Sequence, residues 1–119
     1  MANELSLSGS ASETKNGATY SATYTKTVTV SGDTPVSTVQ SIGTSDETLS
    51  LGEISSLGYL IAKNLDATNY LEIGYTSGTY AIKLKALEFC IFRVGSGMTA
   101  IHAKANTGAC LLQYLLLPD

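Results

Sequence analysis

The stretch that decides the fold is residues 57–75, Leu-Gly-Tyr-Leu-Ile-Ala-Lys-Asn-Leu-Asp-Ala-Thr-Asn-Tyr-Leu-Glu-Ile-Gly-Tyr. Two segments with alternating apolar residues flank the polar run at 66–69. Its Asp and Asn favour a type I turn, because Asp hydrogen-bonds the backbone two residues on. The pattern therefore predicts two antiparallel strands joined by a four-residue turn, in which Leu65 faces Tyr70, Lys63 faces Glu72 and Ala62 faces Ile73.

The register of this predicted hairpin sorts its side chains onto two faces. The opposite charges of Lys63 and Glu72 share one face. The other face carries five apolar residues, namely Leu60, Ala62, Leu71, Ile73 and Tyr75. Because a slip of one residue would exchange the two faces, the stretch specifies which of its side chains are buried.

Strand-like segments separated by Gly, Asn and Ser turns recur through the rest of the chain. Alternation or short apolar runs predict strands at 20–30, 36–43, 80–85, 89–94, 98–104 and 110–117. No segment has the apolar spacing of an amphipathic helix. We therefore predict an all-β, single-domain antiparallel β-sandwich, jelly-roll-like, with an extended N-terminal segment.

The first part of the chain differs in composition from the rest. Ser and Thr supply 22 of the first 56 residues but only 7 of the last 63. A segment this poor in large apolar side chains could not bury a core alone. We predict an N-terminal arm or edge strand over residues 1–18, ending near the turn signal Asn16-Gly17. The predicted β-sandwich domain covers residues 19–119, with 20–30 as a half-buried strand.

Composition also limits the classes of partner. The 119 residues are 14% charged, with a net charge of −3. The seven basic residues are scattered rather than clustered, so we expect no nucleic-acid partner. The N-terminal sequence lacks a signal-peptide pattern, and no apolar run has the length of a membrane span. We therefore expect no membrane partner either.

Residues that could carry catalysis are few. His102 is the single histidine, and no second His or Cys stands at metal-ligand spacing from it. A Cys90–His102 nucleophilic pair lacks a recognisable orienting acid, and a raised thiol pKa is expected for Cys90 between aromatic residues. Cys90 and Cys110 are both expected to be buried free thiols, with a disulfide left open if their strands are neighbours. The sequence predicts no enzyme, no catalytic residue, no metal and no cofactor.

Two polar or aromatic groups have alternative interpretations. Four oxygen-bearing residues that could suggest a calcium site lie within nine positions, but their spacing is not that of an EF-hand and turn formation is favoured: Asn64, Asp66, Asn69 and Glu72. The seven tyrosines could furnish a sugar-stacking face, but four of them lie in core-like strands, where packing is favoured: Tyr59, Tyr75, Tyr80 and Tyr114. The strands at 57–62 and 111–117 are apolar on both faces, so they are central strands or are partly covered by another subunit.

Five segments of the chain form a recognisable set: Gly58-Tyr59-Leu60, the run Lys-Asn-Leu-Asp-Ala-Thr-Asn-Tyr-Leu-Glu-Ile-Gly at 63–74, Lys83-Leu84-Lys85, Ile-His-Ala-Lys-Ala-Asn-Thr at 101–107, and Leu112-Gln113-Tyr114. Taken together, they resemble small virion-associated proteins of tailed bacteriophages. The resemblance covers residues 57–119, and its most specific part is the run Asn-Leu-Asp-Ala-Thr-Asn-Tyr. The family tends to have Pro-Gly after Lys-Leu-Lys, where this chain has Ala86-Leu87.

The resemblance implies a non-enzymatic structural role in the virion. The expected protein is a capsid decoration (cement) protein on the outside of the head shell, or a protein of the head–tail region, made in the bacterial host cytoplasm. Its expected partners are the major capsid protein or other virion proteins, and copies of itself, with a trimer favoured. The Ser/Thr-rich segment could join a neighbour's sheet by strand addition, and many copies would strengthen weak contacts. The alternative is a carbohydrate- or receptor-binding β-sandwich module of a phage fibre or tail.

Overall fold

Ten antiparallel strands and no helix make up the structure, a computed structural model that describes residues 4–32 and 34–119. The strands are β1 Leu5–Lys15, β2 Ala18–Val28, β3 Val36–Ile42, β4 Glu47–Thr48, β5 Leu57–Asn64, β6 Leu71–Thr76, β7 Thr79–Leu84, β8 Phe89–Arg93, β9 His102–Ala105 and β10 Cys110–Pro118. They fall into two compact units, Met1–Ser31 and Gly32–Asp119.

The first unit is a long β-hairpin. β1 and β2 pair along their whole length, from Leu5 opposite Val28 to Lys15 opposite Ala18. The two turn residues between them, Asn16 and Gly17, both have positive φ (53° and 79°), which is the type I′ turn that Asn-Gly favours. The sequence predicted an arm or edge strand over residues 1–18 and a domain from residue 19. Residues Leu5–Lys15 do form a strand, but the division between the compact units falls after Ser31, because β2 pairs with β1 in a two-stranded sheet. Residues 1–3 of the predicted arm lie outside the described residues.

The second unit is an eight-stranded sandwich. One four-stranded sheet has the order β3-β10-β5-β8, and the other has the order β4-β9-β6-β7. The pairs β3–β10, β4–β9, β5–β8 and β6–β7 are nested along the chain, which is the strand order of a jelly roll. This confirms the predicted all-β, antiparallel, jelly-roll-like fold.

The core lies between these two sheets and is filled by the inward residues of both. On β10 every second residue points inward, and those side chains are almost fully buried: Cys110, Leu112, Tyr114 and Leu116. The opposite sheet contributes Leu71, Ile73, Ala103 and Ala105, each without solvent exposure. Leu49 and Ile54, from the connection between β4 and β5, join the same cluster.

The predicted pairing of the two strands within 57–75 is wrong. β5 pairs with β10 and β8, whereas β6 lies in the other sheet and pairs with β7 and β9. Lys63 therefore faces Gln113 and Phe89 rather than Glu72. The predicted apolar face is nevertheless correct, with four of its five residues buried and Tyr75 half-buried. Strands in opposite sheets that face one another across a core need the same alternation as the two strands of a hairpin.

The predicted strand at 98–104 is shorter than its pattern suggested. Only the region from His102 to Ala105 pairs as β9, because the Met98 amide instead closes a turn onto the Gly95 carbonyl at 3.2 Å. Ile101 is fully buried and its carbonyl accepts a hydrogen bond from the Leu49 amide at 2.9 Å. Apolar residues beside a turn thus enter the core without belonging to a strand.

Leu87 occupies a backbone conformation that suits glycine. Its φ is +64°, and the Glu88 amide hydrogen-bonds the Lys85 carbonyl at 3.0 Å, so residues 85–88 form a type II turn with Leu87 at its third position. A type II turn favours Pro and then Gly at its two central positions. The Ala86-Leu87 pair meets neither preference.

Replacing this leucine should therefore stabilise the protein. We expect Leu87→Gly to raise the free energy of unfolding by about 1 kcal/mol, because left-handed backbone is strained for an L-residue and Leu87 is exposed. Ala81→Gly, at an exposed strand position with ordinary φ, should lower it by about 0.5–1 kcal/mol. Thermal melting followed by circular dichroism measures both, and a lower Tm for Leu87→Gly would contradict the turn assignment.

Candidate interaction surface

The sheet β3-β10-β5-β8 has an apolar outer face. Along each of its strands the side chains alternate between the core and solvent, so that every second residue points away from the core. We call the outward set the outer sheet face: Ser37, Val39, Ser41, Tyr59, Ile61, Lys63, Phe89, Ile91, Arg93, Leu111, Gln113 and Leu115. Half of these twelve residues are aliphatic or phenylalanine.

The strand register places the apolar residues of this face side by side. Leu115 lies opposite Ile61, and Ile61 lies opposite Ile91, which forms one apolar row across three strands. In the next row Lys63 lies between Gln113 and Phe89. The apolar side chains therefore form one continuous patch rather than a set of isolated exposed residues.

Several of these apolar side chains are strongly exposed. The exposed fractions are 65% for Phe89, 51% for Leu111, 48% for Val39 and 38% for Ile91. Ile61 and Leu115 are half-buried and line a shallow depression of about 280 Å³ with Lys63, Phe89, Gln113 and Ser37. Contiguous exposed apolar surface of this kind is typical of a protein–protein contact.

The charges on this face are few and of one sign. The four strands of the sheet contain two charged residues, Lys63 and Arg93. Arg93 stacks over the Tyr59 ring at 4.6 Å and forms an ion pair with Asp119 at 3.0 Å, both near the end of the sheet. A complementary partner surface would therefore be apolar, with an acidic or hydrogen-bond-accepting group placed opposite Lys63.

The opposite sheet has a polar outer face instead. Glu72 lies between Lys83 and Lys104 on the two neighbouring strands, and the Lys83 ammonium lies 4.1 Å from the centre of the Tyr70 ring. Such opposite-charge pairs are suited to a face in contact with water. The two outer faces of one sandwich therefore differ in kind, and the apolar one is the candidate interaction surface.

The residues considered for calcium form a hydrogen-bonded corner between the sheets. The Asp66 carboxylate accepts the amides of Thr68 at 3.0 Å and Asn69 at 2.5 Å. These bonds lower the pKa of Asp66, with the Asn69 amide contributing most. Glu72 lies outside this corner, on the polar sheet face. The predicted turn chemistry is confirmed, although the turn joins two sheets rather than two paired strands.

Asn64 is the buried centre of this corner. Its side chain has no solvent exposure; the Oδ1 atom accepts the Asp66 amide at 2.9 Å. Its Nδ2 atom donates to the carbonyls of Asn69, Leu84 and Lys85 at 2.9–3.2 Å. One side chain thus ties the crossover from β5 to β6 to the crossover from β7 to β8.

His102 has a partner that sequence patterns did not indicate. Its Nδ1 lies 2.9 Å from the Asp46 carboxylate, which also accepts a hydrogen bond from the Tyr80 hydroxyl. The Tyr80 bond, and then the His102 bond, hold the pKa of Asp46 below its ordinary value. Thirty-four residues separate Asp46 from Tyr80, and 56 separate it from His102, so no local motif connects them.

This network has the form of a structural cross-link. It joins the loop before β4 to β9 and β7 across the polar sheet face. Within the described residues, His102 makes no hydrogen bond to a Ser, Thr or Cys that could act as a nucleophile. Cys90 lies on β8 in the other sheet, so the Cys90–His102 pair considered from the sequence is not brought together.

The prediction of two free cysteines is confirmed, and the predicted burial of the cysteines and of the strand tyrosines is confirmed in part. Cys90 and Cys110 are both free thiols, and burial raises the pKa of each. Cys110 is buried and Cys90 half-buried. Tyr114 is buried, while the other three strand tyrosines considered for sugar stacking are half-buried: Tyr59, Tyr75 and Tyr80.

Comparisons with protein-family models, curated proteins and solved structures find no match to this chain. In the described residues there is no helix with the length and apolar character to span a membrane.

Proposed function

We propose that the chain is a non-enzymatic structural protein of a tailed-bacteriophage virion, a capsid decoration protein that binds the outside of the head shell. The apolar outer sheet face carries this proposal, because Phe89, Leu111, Val39 and Ile91 expose an area that a binding partner would remove from water. The resemblance of residues 57–119 to virion-associated proteins supplies the setting.

The outer sheet face suits repeated, specific contacts with a protein shell. It is rigid because it lies on four paired strands, so little ordering is required on binding. Its centre is apolar, and its charged residues are basic. In a shell with many equivalent sites, a moderate affinity at each site is sufficient, because linked copies act together.

The proposal is tested in particles and with purified heads. Mass spectrometry of purified virions should find the chain in many copies, and the purified chain should bind heads prepared without it. Ile91→Asp, in the middle of edge strand β8, should weaken that binding about tenfold or more, because it places a carboxylate in the apolar row. Ala81→Asp, in the middle of edge strand β7 on the other sheet, should bind like the unmodified chain.

Two results would contradict this function. Absence of the chain from purified virions would exclude a structural role in the particle. Equal binding of Ile91→Asp and Ala81→Asp would exclude the outer sheet face as the contact. Binding to a glycan array, without binding to heads, would support the alternative of a carbohydrate- or receptor-binding module, which the exposed rings of Tyr20 and Tyr24 favour.

A further inference from the structure

The hairpin of β1 and β2 has two chemically different faces. Every residue on one face is Ser or Thr, in five cross-strand pairs: Ser6 with Thr27, Ser8 with Thr25, Ser10 with Thr23, Ser12 with Ser21, and Thr14 with Thr19. The other face holds all the apolar and charged residues of the two strands, also in cross-strand pairs: Leu5 with Val28, Leu7 with Lys26, Gly9 with Tyr24, Ala11 with Ala22, Glu13 with Tyr20, and Lys15 with Ala18. We call this second set the mixed face.

The mixed face exposes large aromatic side chains. Tyr20 is 66% and Tyr24 74% exposed. β1 and β2 form a sheet of two strands only, and an isolated two-stranded hairpin is marginally stable in water. Covering the mixed face would therefore both bury apolar surface and stabilise the hairpin, while the Ser/Thr face stays in contact with water.

We propose that the hairpins of two copies of this chain pack mixed face against mixed face, with the tip of each over the base of the other. The two copies are related by a twofold axis that runs across the strands, between the two layers. The resulting small sandwich has Ser and Thr on both outer surfaces. This proposal does not depend on the virion function, since it rests on the hairpin alone.

Residue sizes on the mixed face are complementary in this arrangement. The axis passes between the Gly9–Tyr24 pair and the Ala11–Ala22 pair, so each of these pairs lies opposite the other in the second copy. Tyr24 thus packs over Ala22 of the second copy, and Gly9 lies over Ala11. Sheets stack about 10 Å apart, so a large ring in one layer requires a small side chain in the other.

Charges on the mixed face select the same arrangement. The Leu7–Lys26 pair lies opposite the Glu13–Tyr20 pair of the second copy, which brings Glu13 of each copy beside Lys26 of the other. A twofold axis along the strands would instead place the two Glu13 residues at one level and the two Lys26 residues at another. Like charges would then approach each other, so the tip-over-base arrangement is favoured.

The area is sufficient for a weak dimer. Eleven residues at about 3.4 Å each give a strip roughly 37 Å long and about 10 Å wide. Two such strips bury roughly 700–800 Å² in total, which is below the size of a stable interface and in the range of weak contacts. We therefore expect an equilibrium between monomer and dimer that depends on concentration.

Analytical ultracentrifugation of the full chain tests the proposal. Between about 1 μM and about 1 mM the unmodified chain should pass from monomer to dimer. Tyr24→Ser should weaken the dimer about tenfold or more, because it removes the ring that packs over Ala22. Thr25→Ser is the matched control. It introduces serine at the neighbouring position, whose side chain lies on the Ser/Thr face, and it should leave the dimer unchanged.

Charge reversal tests the arrangement independently of hairpin stability. Glu13→Lys should weaken the dimer, and the double variant Glu13→Lys with Lys26→Glu should restore it, because the pairs between copies are re-formed with reversed sign. The proposal would be overturned if the chain stays monomeric or forms a trimer. A dimer unaffected by Tyr24→Ser would also overturn it, because such a dimer would form by edge-strand pairing or through the outer sheet face. Failure of the double variant to recover would overturn it as well. An unchanged Tm of the eight-stranded sandwich confirms that this unit stays folded in each variant.

Discussion

Ile73→Asp is expected to unfold the sandwich. Ile73 is in β6, between β7 and β9, and its side chain has no solvent exposure. A carboxylate there would be buried among apolar residues without a partner, and such substitutions are among the most destabilising known. We expect a loss of more than about 4 kcal/mol in the free energy of unfolding, which is a large fraction of the stability of a domain of this size.

The neighbouring residue supplies the control. Glu72 lies on the other face of the same strand, between Lys83 and Lys104. Glu72→Ala should cost roughly 0.2–1 kcal/mol for each lost cross-strand pair, because these charges remain in contact with water. Urea unfolding followed by circular dichroism measures both variants. Similar midpoints for the two would show that the assignment of inward and outward faces on β6 is wrong.

The contrast between these two residues shows what alternation predicts and what it leaves open. The burial of Leu60, Ala62, Leu71 and Ile73 was predicted correctly, because the inward or outward direction of a side chain follows from local period-2 alternation. The strand that pairs with β5 was predicted wrongly, since consecutive strands joined by a short polar link usually pair with each other. Glu72 contributed to this wrong pairing, because the nearby Lys63 carries the opposite charge. The residues that lie opposite Glu72 in the sheet are Lys83 and Lys104, which are 11 and 32 positions further along the chain.

The N-terminal hairpin was predicted only in part, since residues 1–18 were expected to be an arm or an edge strand and their pairing with the strand at 20–30 was not predicted. Asn16-Gly17 was identified as a turn signal, and it forms a type I′ turn between two eleven-residue strands. β1 contains three Ser residues and one Gly among its six central positions, so it lacks the apolar alternation by which a strand is usually recognised. Its pairing with β2 follows from the turn and the backbone rather than from buried side chains.

The candidate interaction surface was predictable in part. The strands at 57–62 and 111–117 were identified as apolar on both faces, and they are the two central strands of the sheet with the apolar outer face. The contributions of Val39, Phe89 and Ile91 depend on which strands flank the central pair. That order is set by long-range pairing, which local sequence does not encode. The same applies to the bond between Asp46 and His102, which are 56 positions apart.

Asn64→Leu is expected to have the second-largest effect, because the Asn64 amide bonds four backbone groups at one buried corner. Leucine has the same number and branching of side-chain heavy atoms but no polar atoms, so the Asp66 amide loses its acceptor. The carbonyls of Asn69 and Leu84 lose this donor at the same time, whereas the Lys85 carbonyl keeps the hydrogen bond from the Glu88 amide. Each buried group left without a partner costs about 1–3 kcal/mol, so we expect a loss of about 3 kcal/mol or more.

Asn106→Leu is the matched control for this prediction. Asn106 is exposed, and its backbone amide, which donates to the Tyr70 carbonyl at 3.0 Å, is unaffected by the change of side chain. The same replacement there should alter the free energy of unfolding by less than about 0.5 kcal/mol.

Hydrogen exchange adds a local measurement, because loss of the Asn64 acceptor should expose the Asp66 amide to solvent more than amides in the centre of β10. If Asn64→Leu unfolds at the same urea concentration as Asn106→Leu, the corner is not held by this side chain. The run Asn-Leu-Asp-Ala-Thr-Asn-Tyr, which carries the most specific part of the family resemblance, would then need an explanation other than joining the two sheets.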